Sequence, residues 1–231
     1  MPSEPIVAAD LDELARRAAA WMAEEIRQAV ARRRGCALTL SGGSTPRPAY
    51  ERLAAQPALP WEAVEIYFGD ERAVAPTDPA SNYRMARQAL LDRVGLPPGR
   101  VHRMEADDPD RDAAGARYAA LLPDRLDVLV LGMGPDGHTA SLFPRSPALR
   151  ETEKRVVPAT SPVPPVHRLT ITPPVIAAAR RVAVITAGAA KAPVVAEVLR
   201  GPWRPEDLPA QLAREGTWII DRAAAAALAP R

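Results

Sequence analysis

His138 is one of only three histidines in this 231-residue chain, and its setting suits chemistry. It closes the run Gly132-Met133-Gly134-Pro135-Asp136-Gly137-His138, directly after the apolar stretch Val128 to Leu131. A strand that empties into a glycine-rich turn lets backbone approach a ligand closely. Carboxyl ends of strands in open α/β sheets are where small ligands bind. A neutral imidazole there can take a proton from water, worth about 10²–10⁴ in rate. The sequence predicts a helix start at His138, whose positive dipole end favours the neutral ring. The plain alternative is a satisfied polar residue at that helix start.

Three further strand exits carry groups suited to an anion. Ser41-Gly42-Gly43-Ser44-Thr45-Pro46 combines two glycines, hydroxyls and a helix start, a pattern that can cradle phosphate. It lacks the Gly-Lys-Ser/Thr ending of a P-loop, and a Ser/Thr cap with Pro46 in the first helical turn reads equally well. Gly69-Asp70-Glu71-Arg72 ends another strand. Arg72 can pair with a phosphate and Asp70 can orient a sugar hydroxyl or a catalytic group; otherwise the triplet is a solvated charge cluster. Lys191 follows Ala187-Gly188-Ala189-Ala190. Of 30 basic residues only Lys154 and Lys191 are lysine, so a lysine retained in a first helical turn, against the dipole, points to an anion. Arg168, inside the strand-like His167 to Thr172, lies on a solvent face or in a polar site.

The turn at 132–137 also fits the G-x-G-x-x-G pattern of dinucleotide folds. Pro144 and Pro147 limit the following helix to a turn or two, and no acid stands at the end of a second strand about 20 residues on. A nicotinamide site is therefore not expected. His102, His138 and His167 have no histidine or cysteine at ligand spacing, so no metal and no cofactor is expected. No G-x-S-x-G nucleophile elbow occurs.

Around these turns the pattern alternates strands and helices. Helices are expected from Asp10 to about Ala31, from the Pro46 turn to about Ala55, and over Asn82–Val94, Asp110–Leu122, Ala189–Arg200 and Asp221–Leu228. The first carries the stripe Leu11, Leu14, Ala18, Trp21, Met22 and Ile26. Strands are expected at Cys36–Leu40, Ala63–Phe68, Val101–Met104, Val128–Leu131, Arg155–Pro158, His167–Thr172, Val182–Ala187 and Thr217–Ile220. Continuously apolar strands alternating with helices imply a mainly parallel sheet covered by helices on both faces. No linker or repeat divides residues 1–231, so one α/β domain is expected.

Composition excludes several classes. A net charge of +2 with mixed signs shows no basic block for nucleic acid. No apolar run reaches membrane-spanning length. A single cysteine, Cys36, rules out a disulfide framework within the chain and points to a reducing compartment. Met1 to Asp10 lacks the basic start and apolar core of a signal peptide.

Taken in order, S-G-G-S-T-P, F-G-D-E-R-A-V, D-P-A-S-N-Y-R-M, G-M-G-P-D-G-H-T-A-S-L-F-P, R-L-T-I-T and G-A-A-K-A resemble the 6-phosphogluconolactonase family. The likeness runs from about Ala31 to Ile220. It implies a Rossmann-like α/β sandwich that hydrolyses 6-phospho-D-glucono-1,5-lactone in the oxidative pentose phosphate pathway, without metal or cofactor. It places the family's histidine on His138 and its aspartate on Asp70. It places substrate-binding groups on Gly42, Gly43, Ser44, Thr45, Arg72, Gly134, Asp136, Gly137, Arg168 and Lys191. A cytoplasmic monomer or weak homodimer is implied. The related glucosamine-6-phosphate deaminases carry an acid after the histidine, where this chain has Ser141, Leu142 and Phe143. A sugar-phosphate sensor without turnover is the other alternative. Whether Asp70 or Asp136 orients the ring stays open at this level.

Overall fold

The computed structural model describes residues 4–228; the outermost residues of the expected 1–231 domain, and Met1–Ser3 of the leader reading, lie outside them. In chain order the elements are β1 (Ile6–Ala8), α1 (Leu11–Arg33), β2 (Cys36–Leu40), α2 (Arg47–Ala54), β3 (Val64–Phe68), β4 (Asp70–Arg72), α3 (Asn82–Ala89) and α4 (Arg111–Leu121). There follow β5 (Val128–Leu131), β6 (Val156–Thr160), β7 (His167–Ile171), α5 (Pro173–Ala178), β8 (Arg181–Thr186), α6 (Ala192–Arg200) and β9 (Thr217–Asp221).

Six strands form one parallel sheet in the order β1-β9-β8-β5-β2-β3. Its strands bury both faces, which explains their unbroken apolar runs. In β5, Val128 and Val130 join the core beneath α1, α2 and α3, while Leu129 and Leu131 join the core shared with α4 and α6. Successive side chains point to opposite faces, so two helical layers are held by one run of four residues.

α1 starts on Asp10, whose carboxylate accepts from the Glu13 amide at 2.8 Å, and ends at Arg34 with φ 61°. Its buried stripe is Leu14, Ala15, Ala18, Ala19, Met22, Ala23, Ile26 and Ala29. Leu11, expected in that stripe, is the first residue of α1 and is exposed.

Three strand readings change. β4, β7 and β6 leave the main sheet and pair as a separate antiparallel sheet in the order β4-β7-β6. Gly69 is the junction: its amide donates to Leu40 O at 3.0 Å and its carbonyl accepts from Ile171 N at 2.9 Å. Asp-Glu-Arg is thus a paired strand of its own, with Asp70 and Glu71 buried, and not a solvated charge cluster. Val101–Met104 makes one isolated bridge, Val101 to Ile66.

Helix expectations shift as well. The 82–94 helix stops at Ala89 and gives way to a 3₁₀ turn at Leu91–Arg93. The closing helix is absent; the chain extends β9 to Asp221, whose carboxylate then holds the Ala224 and Gly188 amides at 2.8 and 3.0 Å in a turn. β1 and α5 were not legible in the pattern, being three and six residues long. No helix among the described residues is long and apolar enough to cross a membrane.

Candidate active site

The carboxyl ends of β2, β3, β5 and β8 open into one cavity of about 220 Å³. Ser41 to Pro46 forms one wall, Gly132 to Gly134 with His138 another, and Asp70, Arg72, Arg168 and Lys191 complete it. Residues from five separated segments therefore meet at one place. Of the expected set, only Asp136 and Gly137 stand off the cavity wall.

His138 does not begin a helix. Thr139 and Leu142 form a lone bridge, and the next helical turn is the 3₁₀ segment Pro147–Arg150. The expected dipole effect on the ring is therefore absent. Its orientation comes instead from Asp136, whose Oδ1 lies 2.6 Å from His138 Nδ1 and also accepts the His138 backbone N–H at 3.1 Å. Phe143 packs against the ring at 4.6 Å between centroids. Burial pushes the Asp136 carboxyl up, but the hydrogen bonds and charge of His138 outweigh it and hold Asp136 below its ordinary value. An ionised Asp136 can only accept, so Nδ1 keeps its proton and donates it in this hydrogen bond, leaving Nε2 with its lone pair, the tautomer a base requires.

Gly134 makes this arrangement possible. A Cβ there would stand 2.2 Å from His138 Nδ1 and 2.8 Å from Asp136 Oδ1. Gly137 serves the turn itself, with φ +81° and its amide on Gly134 O at 3.1 Å. Its role is to bend the backbone, which is why it stands off the cavity.

The other carboxylate, Asp70, is engaged elsewhere. Ser141 Oγ donates to its Oδ2 at 2.6 Å, and Asn82 Nδ2 donates to its Oδ1 at 3.1 Å and to its carbonyl at 2.8 Å. Asn82 also explains Gly42: a Cβ at that position would fall 1.7 Å from Asn82 Oδ1. The glycine lets the 41–46 turn rest on the start of α3. Gly43 takes φ +105°, and α2 follows with Pro46 before its first residue.

Arg72 and Arg168 are direct cross-strand partners in β4 and β7. Like charges placed opposite are destabilising. Arg168 is buried, its Nε donating to Pro165 O at 2.8 Å and its Nη2 to Ser161 Oγ at 3.4 Å. Burial lowers its basicity, the Asp70 charge opposing and the Arg72 charge reinforcing. Arg72 Nη1 donates to Ala80 O at 2.5 Å, while its buried Nε has no protein partner. Lys191 ends a 3₁₀ turn ahead of α6 and donates to Met133 O. Burial lowers the Lys191 ammonium, with Asp136 pulling the other way. Three cations on one cavity, two of them desolvated by burial, are the electrostatic signature of an anionic ligand.

Residues 9–220 match the family model described as glucosamine-6-phosphate isomerases/6-phosphogluconolactonase. The chain belongs to this family. It is 39% identical to a 6-phosphogluconolactonase of Synechocystis over 94% of this chain and 95% of that one. It is 40% identical to one of Streptomyces coelicolor over 96% and 94%. The structure of 6-phosphogluconolactonase from Trypanosoma brucei superposes with a TM-score of 0.84 at 30% identity, covering 98% of this chain and 99% of that one. The matched span contains every wall of the cavity.

Asn82, Ser141 and Ser161 were missed as members of the site. Asn82 and Ser141 lay inside quoted motifs, S-N-Y-R and H-T-A-S-L-F-P, but sequence could not show that both close on Asp70. Ser161 carried no signal beyond its proline-rich neighbourhood. Among the described residues no group of three or more His, Cys, Asp or Glu is arranged to hold a metal ion.

Proposed function

We propose that the protein hydrolyses 6-phospho-D-glucono-1,5-lactone to 6-phospho-D-gluconate, the lactone-opening step of the oxidative pentose phosphate pathway. The observation that carries this reading is the His138–Asp136 pair facing Arg72, Arg168 and Lys191 across a single cavity. Family membership and the relatives named above supply the substrate class.

In this mechanism the three cations and the 42–45 turn hold the 6-phosphate. Each charge-assisted hydrogen bond contributes about 1.5–3 kcal/mol, so binding remote from the carbonyl sets C1 against His138. Nε2 takes a proton from water, whose oxygen attacks C1. The C1=O electrons move onto oxygen, and backbone N–H groups of the glycine-rich turns stabilise the oxyanion. The tetrahedral carbon then expels the ring oxygen, which receives the proton from the imidazolium. Asp136 orients the ring and balances its transient charge, while Asp70 holds the β4 wall. A δ-lactone is an activated ester, so a base, a positioning site and an oxyanion contact suffice.

The absence of a carboxylate from Ala140 to Phe143 disfavours the deaminase reaction. We read residues 1–231 as one catalytic domain because both sheets contribute to one cavity. A cytoplasmic location fits the buried, unpaired Cys36. A monomer or weak homodimer is expected, and sedimentation velocity tests it. Stopped-flow loss of the lactone, with glucosamine-6-phosphate as control, tests the activity. Binding of the lactone without accelerated loss would favour a sensor, and ammonia release from the control would favour the deaminase.

A further inference from the structure

A second cationic site lies on the far side of the sheet, at the amino ends of β2, β5 and β8. Arg32 and Arg33 close α1, Arg125 precedes β5, and Arg180 and Arg181 open β8. They line one depression of about 480 Å³ together with Glu25 and Asp127. Five guanidinium groups face two carboxylates there, a surplus of three positive charges. No stretch of the sequence shows this, because the arginines come from three separate segments.

The two carboxylates are buried and fix several of the cations in place. Asp127 Oδ1 lies 2.7 Å from Arg33 Nε and 3.3 Å from Arg180 Nε, while its Oδ2 accepts the Ala37 amide at 2.9 Å. Two guanidiniums thus share one carboxylate oxygen. Glu25 Oε1 takes both Nε and Nη2 of Arg181, at 2.9 and 2.8 Å. Arg125 is anchored by Nε on Ala178 O at 2.7 Å, and its terminal nitrogens bond to none of the described residues. Anchoring through Nε leaves the outer edge of a guanidinium to grip an anion, and a planar fork held in advance loses little freedom on binding.

We propose that this depression binds a small ligand carrying two phosphate groups. Each terminal phosphate carries about −1.5 to −2 at neutral pH, so two of them balance the surplus where one orthophosphate or a carboxylate falls short. The site is independent of the catalytic cavity, which lies at the opposite ends of the same strands.

The test uses the full chain carrying Lys191→Ala, which weakens phosphate binding in the catalytic cavity. Isothermal titration with inorganic pyrophosphate, with ADP and with orthophosphate is run at matched ionic strength. One pyrophosphate or ADP per chain is expected, with orthophosphate markedly weaker. Adding Arg125→Gln and Arg180→Gln is expected to weaken binding roughly tenfold or more, the loss of about one charge-assisted hydrogen bond. On the wild-type background the same pair of substitutions leaves lactone turnover unchanged, which also reports folding. Arg125→Lys with Arg180→Lys separates charge from fork geometry and is expected to recover only part of the affinity.

No saturable binding above the ionic-strength control overturns the proposal. So does binding that survives the two glutamines, or an affinity for orthophosphate equal to that for pyrophosphate. Absence of lactone turnover in the wild type itself would instead sink the catalytic reading and leave this site untouched.

Discussion

Arg72 and Arg168 stand directly opposite one another on β4 and β7, two guanidiniums on one face of a two-stranded pairing. A cross-strand like-charge pair is tolerated where an anion is meant to lie between the charges. Arg72→Gln or Arg168→Gln is expected to raise KM for the phosphorylated lactone about 10- to 100-fold with a smaller change in kcat. Steady-state kinetics checks this, and an unchanged KM would remove the residue from the phosphate site. Inorganic phosphate should raise the melting temperature of the wild type more than that of either variant.

The base and its partner respond differently. His138→Ala is expected to lower kcat by about 10²–10⁴, with KM little altered. Asp136→Asn presents an amide to Nδ1 and spoils the tautomer, so a kcat loss without a KM loss is expected there too. Near-wild-type turnover in His138→Ala would end its assignment as base.

Gly134→Ala isolates the seating of the ring. The atoms nearest the added methyl belong to His138 and Asp136. Turnover should fall while the affinity for 6-phosphogluconate, measured by titration, stays near that of the wild type. Equal losses in both would mean that the whole turn had moved.

Lys191 makes affinity depend on pH. Burial lowers its ammonium below the ordinary lysine value in the free protein. As pH rises through that lowered value the lysine loses its charge, so 6-phosphogluconate should bind progressively more weakly below the usual lysine range of about 10.4. A bound dianion favours the charged form, so binding in that window takes up protons, visible as a buffer-dependent heat. Lys191→Arg should flatten the alkaline limb; a limb unchanged in that variant would refute the assignment.

Ser141→Ala removes the 2.6 Å hydrogen bond to the buried Asp70 carboxylate. A loss of about 1–3 kcal/mol of stability is expected, read from denaturant unfolding. A catalytic Asp70 would show a kcat effect exceeding that of the structural loss; as a wall residue it should not.

The sequence alone determined the strand-to-turn exits and the residues standing at them. Apolar runs, glycine turns and proline stops act within a few residues, so β2, β3, β5 and β8 and the turns after them were legible, as were His138, Arg72 and Lys191. Only the tertiary structure decided which carboxylate meets the imidazole. Asp136 lies two residues from His138, yet its side chain reaches the ring because Gly134 leaves the space, whereas Asp70 is held by Ser141, 71 positions away in sequence. The same holds for β4, which pairs with β7 across nearly a hundred residues, and for the missing helix at His138, where the lone bridge at Thr139 replaces it. The arginines at the amino ends of the strands gather for the same reason. Local spacing governs backbone conformation, while the partners of a charge depend on which distant segments the fold brings beside it.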